Sequence, residues 1–576
     1  MKTETIAAAK ENSEAKLQVT GSEILLRALI AEGVETLFGY PGGAIMPVYD
    51  SLYHFSNELK HILVRHEQGA IHAAQGFARV SGKTGVVLAT SGPGATNLIT
   101  GLADAMIDST PLVCITGQVA SHLLGTDAFQ ETDIVNISLP VTKWNIQVTR
   151  AADVAHAVAK AFFIASSGRP GPVLIDITKD AQFELAELEL EKCSSIKTYS
   201  PIPKPDLAAI SEAAEMINNA KRPYILSGQG IILSEAQDEL IAVAEKAGIP
   251  VASTLLGLSG FPTDHPLYVG YLGMHGNYSP NINTNECDVL IAIGMRFDDR
   301  VTGNVAKYAT NAKVIHIDID ESEIGKIIQT DIGIHADAKE ALESLLPLLN
   351  NSEHADWLNS FKKLDELEKE IITRDCEPDC EGLKMGEVIH RLNELTHGNA
   401  VVCSDVGQHQ MVTSRYYHFK NLRSCVTSGG LGTMGFCLPA AMGAKLAVPD
   451  KQVIAIIGDG GFQMTIQELG TIMQYKIPVK IVILNNNFLG MVRQWQQLFF
   501  DRRYSFTEMD NPDFVAIAKA YRLEAQKVDS RENLGDALKT MLDHSGPYLL
   551  EVVVEKEDNV FPMVPTGAGV SEMRLS

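Results

Sequence analysis

Residues 452–487 read QVIAIIGDGGFQMTIQELGTIMQYKIPVKIVILNNN. Two β-branched runs enclose a segment of helical spacing, the pattern of one strand–helix–strand unit with parallel strands. Asp459 ends the first run, a helix is expected from about Phe462 to Tyr475, and Asn486 ends the second. A right-handed crossover brings both side chains to one edge of the sheet. One carboxylate and one amide oxygen are too few for an all-protein Ca²⁺ cage. They suit Mg²⁺, which keeps positions for phosphate oxygens and water. The helix N-terminus at Gly458, Asp459 and Gly460 adds free amide donors for a diphosphate. Gly-Asp-Gly alone would favour a turn followed by a helix cap; its pairing with Asn485 and Asn486 between buried strands favours the metal and diphosphate.

Outward from this unit the same alternation of short strands and helices continues, which predicts an α/β chain of three doubly wound, mostly parallel-sheet domains. The first spans 17–182, with strands expected in GVETLFGY, HILVRH, GVVLAT, PLVCITG and GPVLIDI. The Pro-containing stretch SSIKTYSPIPKPD (194–206) reads as a linker. The second domain spans 205–347 and the third 385–560, separated by a polar stretch around WLNSFKKLDELEKEI that reads as a solvated connecting helix.

The formal net charge of −23 disfavours nucleic acid and anionic membranes as partners. No apolar run is long enough to span a bilayer. The opening MKTETIAAAKENSEAK has no apolar signal core, and Glu4, Glu11 and Glu14 speak against an organelle transit peptide, so a cytoplasmic location is expected. The eight cysteines are scattered; Cys376 and Cys380 lack a second pair for zinc and read as free thiols.

Gly458, Asp459, Gly460 and the pair Asn485, Asn486 resemble the cofactor motif of the thiamin-diphosphate (ThDP) dependent decarboxylases and carboligases, and the resemblance covers almost the whole chain. It implies that Asp459, Asn486 and the backbone carbonyl of Phe488 hold Mg²⁺, and that Gln408 and His409 of DVGQHQ contact the diphosphate. Glu67 of RHEQGA follows a strand and could simply cap a helix. The resemblance makes it the acid that hydrogen-bonds the aminopyrimidine of ThDP, with the two halves of one site supplied by different subunits of a homodimer or homotetramer.

Gly430, Gly432 and Gly435 in SGGLGTMGFCLPAA (428–441) also match the G-x-G-x-x-G of nicotinamide enzymes. The acid expected about 20 residues on is Asp450, which sits beside Pro449 rather than at a strand end, and this argues against that reading. The resemblance places Gly432 against ThDP and makes Met434 the support for its bent shape. By the same likeness the first domain binds the pyrimidine of ThDP and the third its diphosphate.

The stretches FGYPGGAIMPVYD, TSGPGATN, GTDAFQETD, GMRFDDRVTG, LGMVRQWQ and NVFPMVPTGAG are similar to the biosynthetic, FAD-containing acetolactate synthases. That likeness puts Tyr40, Gly43, Ala44 and Gln130 at the reactive end of the cofactor, Lys179 and Trp495 at the channel entrance, and Arg300 on the carboxylate of the incoming 2-ketoacid. Read alone, Arg300 would pair with Asp298 or Asp299, and Trp495 would be core; its polar neighbours Arg493, Gln494 and Gln496 point to a partly open site.

In the middle block Gly228 and Gly230 of SGQG offer close backbone approach to a flavin, and Asp318 ends a strand where a ribose hydroxyl is read. The likeness adds Arg169, Met274, His275, Arg296 and Asp337 as FAD contacts. The implied reaction is decarboxylation of pyruvate and joining of the remaining two-carbon unit to pyruvate or 2-ketobutyrate, a step toward valine, leucine and isoleucine. A separate regulatory small subunit is compatible with it. Two rival readings are a redox flavoenzyme of pyruvate oxidase type and a noncatalytic nucleotide-binding protein.

Overall fold

The computed structural model describes residues 17–576; the expectation that the first sixteen residues form no targeting segment lies outside them. Three six-stranded sheets, every strand pair in them parallel, organise the chain. In the first, the spatial order is Lys60–Leu63, Thr36–Gly39, Gly85–Ala89, Leu112–Gln118, Pro172–Thr178, Trp144–Val148. In the last, it is Cys425–Thr427, Val401–Ser404, Val453–Gly458, Lys480–Asn485, Tyr548–Val553, Glu524–Val528. Counted within each domain, both follow the order 2-1-3-4-6-5. The middle sheet runs Tyr268–Tyr271, Val251–Ser253, Pro223–Ser227, Val289–Ile293, Lys313–Asp318, Ile332–His335, the order 3-2-1-4-5-6 of dinucleotide-binding folds.

Apolar β-branched runs such as Val453–Gly458 and Lys480–Asn485 are buried along their whole length because helices cover both sheet faces. The turns at the strands' carboxyl ends are where such sheets bind ligands. A short antiparallel pair, Gln18–Thr20 with Leu185–Glu187, ties the start of the first domain to its end; the sequence pattern marks neither strand.

The first and last domains share one apolar core. Helix Glu67–Ser81 lies against helix Cys437–Ala447 with glycine at the points of closest approach. A Cβ on Gly76 would overlap the Ala440 carbonyl, and one on Gly443 would overlap that of Ala73. The helices therefore meet backbone to backbone.

Two expectations need correction. The helix after Asp459 is not one span from Phe462: it starts at Asp459, breaks at Thr465, and resumes through Ile466–Glu468 and Leu469–Tyr475. The break lets the Thr465 hydroxyl donate to Gly435 O at 3.0 Å and brings Glu468 to the Arg65 amide. The connecting helix, Ala355–Cys376, is not simply solvated either. Trp357 and Phe361 are buried, and Glu368 forms a fully buried ion pair with Arg415. Within the linker stretch the Tyr199 hydroxyl donates to Ser167 O at 2.8 Å. All eight cysteines are free, and no helix among the described residues is long and apolar enough to cross a membrane.

The backbone contact predicts that Gly76→Ala lowers the thermal midpoint, by about 1–3 kcal/mol of stability for overpacking against a rigid neighbour. Gly535, in helix Arg531–Asp543, has open space where a Cβ would stand, with nothing within 4 Å of that point. It gives the opposite sign: Gly535→Ala should raise stability by up to about 1 kcal/mol. Equal shifts for the two in differential scanning calorimetry would contradict this packing.

Candidate active site

Asp459 is the last-sheet residue at which strand gives way to helix, and it is almost wholly buried. Its Oδ2 accepts from Asn511 Nδ2 at 2.7 Å, and the same amide group reaches Asn485 Oδ1 at 3.0 Å. Burial pushes the carboxyl up to about 6, against the opposing pull of Asn511 and nearby backbone amides. On the neighbouring strand end, Asn486 Oδ1 accepts from the Phe488 amide at 3.1 Å, while Asn487 takes a left-handed φ of 56°. The chain thus turns tightly around the two asparagines.

Gln408 and His409 open the helix Gln408–Tyr416 that follows the adjacent strand Val401–Ser404. The Gly458 amide donates to His409 Nε2 at 3.3 Å, and burial lowers this histidine to about 4, so it is neutral at physiological pH. Gln408 Nε2 donates to Gln494 Oε1 and to Asp558 O, both at 2.9 Å. A Cβ on Gly460 would lie 3.7 Å from Met434 Cε. Asp459, Gly460, Asn486, Phe488, Gln408, His409 and Met434 are therefore one corner, and Gly432 sits two residues from Met434 with φ of 70°.

No group of three or more His, Cys, Asp or Glu side chains that could hold a metal occurs among the described residues. A cation at this corner would meet one carboxylate, one side-chain amide and backbone oxygen. That set fits Mg²⁺ carrying diphosphate oxygens better than zinc or calcium.

On the first sheet, Glu67 is the first residue of its helix, but the cap is His66, whose Nδ1 accepts from the Gln68 amide at 3.1 Å. The Glu67 side chain is buried and accepts from Asn97 Nδ2 at 2.9 Å, so capping does not explain it. Tyr40, Gly43, Ala44 and Gln130 lie in loops after strands of the same sheet, and Lys179 directly follows its strand Pro172–Thr178. The Ala44 amide donates to Thr90 Oγ1 at 3.2 Å, Gln130 has φ of 60°, and Lys179 starts the short helix Lys179–Phe183. Among the described residues no hydrogen bond or ion pair links Glu67 to the Asp459 corner.

A cavity of about 800 Å³ opens where the three domains meet. Arg169, Gly230, Met274, His275 and Arg296 line it, with Asp318 and Asp337. Arg300, Gly432 and Trp495 stand on its wall as well, whereas Glu67, Asp459 and Asn486 do not. His275 is buried with Nδ1 lacking a partner, and burial lowers it to about 3. Such an orphaned buried atom on a cavity wall suits a ligand that supplies the missing hydrogen bond. Cavities of this size hold cofactor-sized ligands.

The structure bears on three sequence expectations here. Gly228 is not on the cavity wall: a Cβ there would overlap Gly294 O, so the close approach at the SGQG turn serves the neighbouring loop. Arg300 lines the cavity, and its Nε also lies 3.8 Å from Asp299 Oδ2, the ion pair expected from the sequence read alone. Trp495 is 38% exposed; of the polar neighbours that pointed to openness, Gln496 is partly exposed and Arg493 and Gln494 are fully buried. They bond the C-terminal segment, Arg493 Nη2 to Asn559 Oδ1 at 2.8 Å and Gln494 Nε2 to Val560 O at 3.1 Å.

Sequence reasoning missed Asn511 and Glu468. Asn511 comes from a loop with no motif, and only the fold brings it to Asp459. Glu468, fully buried in the crossover, accepts from the Arg65 amide at 3.0 Å, two residues before Glu67. Its place in the quoted QELG stretch was the available signal.

Comparison with known proteins is consistent along the chain. Residues 19–137 match the family Thiamine pyrophosphate enzyme, N-terminal TPP binding domain; 210–345 match its central domain; 405–552 match its C-terminal TPP binding domain. The acetolactate synthase large subunit of Lactococcus lactis subsp. lactis (strain IL1403) is 46% identical over 557 residues, 96% of each chain. The acetolactate synthase isozyme 2 large subunit of Escherichia coli (strain K12) is 45% identical over 96% of this chain and 99% of its own. The acetolactate synthase large subunit of Corynebacterium glutamicum is 44% identical over 100% and 93%, respectively.

Asn511→Ala removes the donor that orders Asp459 and Asn485 together. Apparent Mg²⁺ affinity in the presence of ThDP should fall about tenfold, the worth of one or two hydrogen bonds to a charged group. Calorimetric titration matching the parent would remove Asn511 from the corner.

Proposed function

The chain belongs to the thiamine pyrophosphate enzymes and, among them, to the acetolactate synthase large subunits, and on that premise we propose how its residues divide the work. It decarboxylates pyruvate and joins the remaining two-carbon unit to a second 2-ketoacid, giving 2-acetolactate from pyruvate and 2-aceto-2-hydroxybutyrate from 2-ketobutyrate. The observation that carries the site assignment is the convergence of Asp459, Asn486 and the Gly458–Gly460 amides at one sheet edge. The synthase reading displaces the pyruvate oxidase alternative, because the matched relatives are synthases over nearly the full chain.

Asp459, the Asn486 amide and the Phe488 carbonyl hold Mg²⁺, while Gln408, His409 and the helix amides at Gly460 receive the diphosphate. Met434 supports the middle of the cofactor, with Gly432 leaving room beside it. Bound ThDP supplies the electron sink for decarboxylation. Glu67 of a second copy holds a proton at the aminopyrimidine ring nitrogen, with Asn97 fixing its carboxylate, and Tyr40, Gly43, Ala44 and Gln130 enclose the reacting end. A homodimer is the smallest assembly that completes such a site, and a homotetramer repeats it.

Arg300 takes the carboxylate of the second ketoacid, Trp495 its alkyl group, and Lys179 guards the approach. The cavity at the three-domain junction takes FAD as a bound but unconsumed cofactor, contacted by Arg169, Gly230, Met274, His275, Arg296, Asp318 and Asp337. The middle sheet's strand order supports this, since its crevice opens beside Gly230 and Gly294. The relatives' designation as large subunits supports a smaller regulatory chain as partner.

The direct assay incubates the protein with pyruvate, ThDP and Mg²⁺ and measures acetolactate, acetaldehyde and flavin absorbance. Acetolactate with oxidised flavin is expected; flavin reduction keeping pace with turnover would make the enzyme an oxidase. Glu67→Gln should slow hydrogen–deuterium exchange at the thiazolium carbon by about 10² to 10⁴, the usual worth of an acid–base group, with ThDP still bound. Unchanged exchange would take Glu67 out of the chemistry.

Trp495→Leu should move products toward acetolactate when both acceptors compete. One methylene in an apolar pocket is worth about 1–3 kcal/mol, or roughly 10–200-fold in relative rate. An unaltered product ratio from a folded variant would mean that Trp495 does not touch the acceptor.

A further inference from the structure

Residues 428–435 run from the wall of the large cavity to the Asp459 corner, and this loop is held by two carboxylates of the first domain. Asp104 lies in helix Ile99–Ile107 and Asp108 is that helix's C-cap, one turn later; both are fully buried. Asp104 Oδ1 accepts from the Ser428 hydroxyl and from Thr433 Oγ1 at 2.9 Å. Asp108 Oδ1 accepts from the Gly430 amide at 2.7 Å, and its Oδ2 from the Gly429 amide at 2.9 Å and Arg79 Nη2 at 2.8 Å. Arg79 Nη1 completes the clasp on Thr427 O at 2.6 Å.

The same turn reaches the other side of the cavity. The Asp108 carbonyl accepts from Gln229 Nε2 at 2.9 Å, and Ser109 Oγ from Arg169 Nε at 2.9 Å. Ile107, Ser109 and Gln229 face the cavity together with Gly429, Gly430 and Gly432. At its other end the loop carries Met434, which reaches Gly460, and the Gly435 amide, which is held by Asp405 at 3.0 Å. One segment is therefore wall to both sites.

Two buried carboxylates a turn apart are costly, and Asp104 Oδ2 has no partner at all. Burial and the Asp104 charge push Asp108 up, against the opposing pull of Arg79 and the Gly429 amide. Apolar residues would serve stability as well or better, so the arrangement is best explained by what it holds in place.

We propose that Asp104 and Asp108 are positioning residues that fix residues 428–435 between the two sites, so that FAD in the cavity and ThDP at the Asp459 corner tighten one another's binding through that loop. The inference rests on the cofactor assignments proposed above. Linkage makes the effect reciprocal, so it can be read from either ligand.

The test titrates ThDP, at saturating Mg²⁺, into FAD-free and FAD-saturated protein by calorimetry, without substrate. In the parent, FAD should tighten ThDP by about fivefold or more, the lower range for coupled sites. Asp108→Asn presents one acceptor oxygen to three donors; ThDP binding to the FAD-loaded protein should weaken about tenfold and the FAD effect should fall to about onefold. Thr433→Val loosens the loop from its own side and should lower the FAD effect in the same direction, with Thr433→Ser restoring it. This pair decides the matter if Asp108→Asn does not fold. A purely structural role would lower the thermal midpoints and leave the FAD effect intact, which overturns the proposal. So does a parent whose ThDP affinity ignores FAD. A parent that binds no ThDP overturns the cofactor assignment itself, a result distinguishable from either.

Discussion

Helix Glu67–Ser81 and helix Cys437–Ala447 touch through glycine and alanine, so closely that a single methyl on Gly76 or Gly443 would strike a carbonyl. This contact fixes the first and last sheets to one another, and both proposed halves of the ThDP site hang from it. Glu67 begins one of the two helices. The other follows directly on the Met434 loop, and the crossover after Asp459 packs back onto the first domain through Glu468 and the Tyr475 hydroxyl, which accepts from the Leu63 amide at 2.9 Å. Neither sheet can shift without moving groups assigned to the cofactor.

The two outer sheets repeat one topology, 2-1-3-4-6-5, yet they present different chemistry at their carboxyl ends. The last sheet ends its strands in Asp459 and Asn486 beside helix amides, a set that would suit a metal diphosphate, while the first ends in Glu67 and the loops that carry Tyr40, Gly43, Ala44 and Gln130. The middle sheet has the dinucleotide order and contributes cavity wall rather than cofactor corner. Function on this fold is thus set by the residues placed at strand ends, not by the sheets themselves.

Much of this was legible in the sequence. The strand–helix–strand pattern of 452–487 located Asp459 and the pair Asn485, Asn486 because burial on both sheet faces forces apolar runs whose first polar residues mark the strand ends. What stayed hidden depended on contacts distant in sequence. Asn511 reaches Asp459 from a loop that no periodicity marks, and the break at Thr465 is dictated by a bond to Gly435 in another element. Gly228 looked like a cofactor-facing glycine because close approach to a ligand and to Gly294 demand the same residue. The polarity of Arg493 and Gln494 suggested solvent, whereas both lie in the interior and donate to the C-terminal segment.

If Asp459 joins protein, metal and diphosphate, binding of Mg²⁺ and ThDP to the Asp459→Ala variant must show it. Affinities for both should fall together, and excess Mg²⁺ should restore little, because neither ligand is well held without the other. FAD binding, measured in the absence of ThDP, should stay at the parent's level, since Asp459 is not on the cavity wall. Cofactor titrations on Asp459→Ala that superimpose on those of the parent would contradict the account.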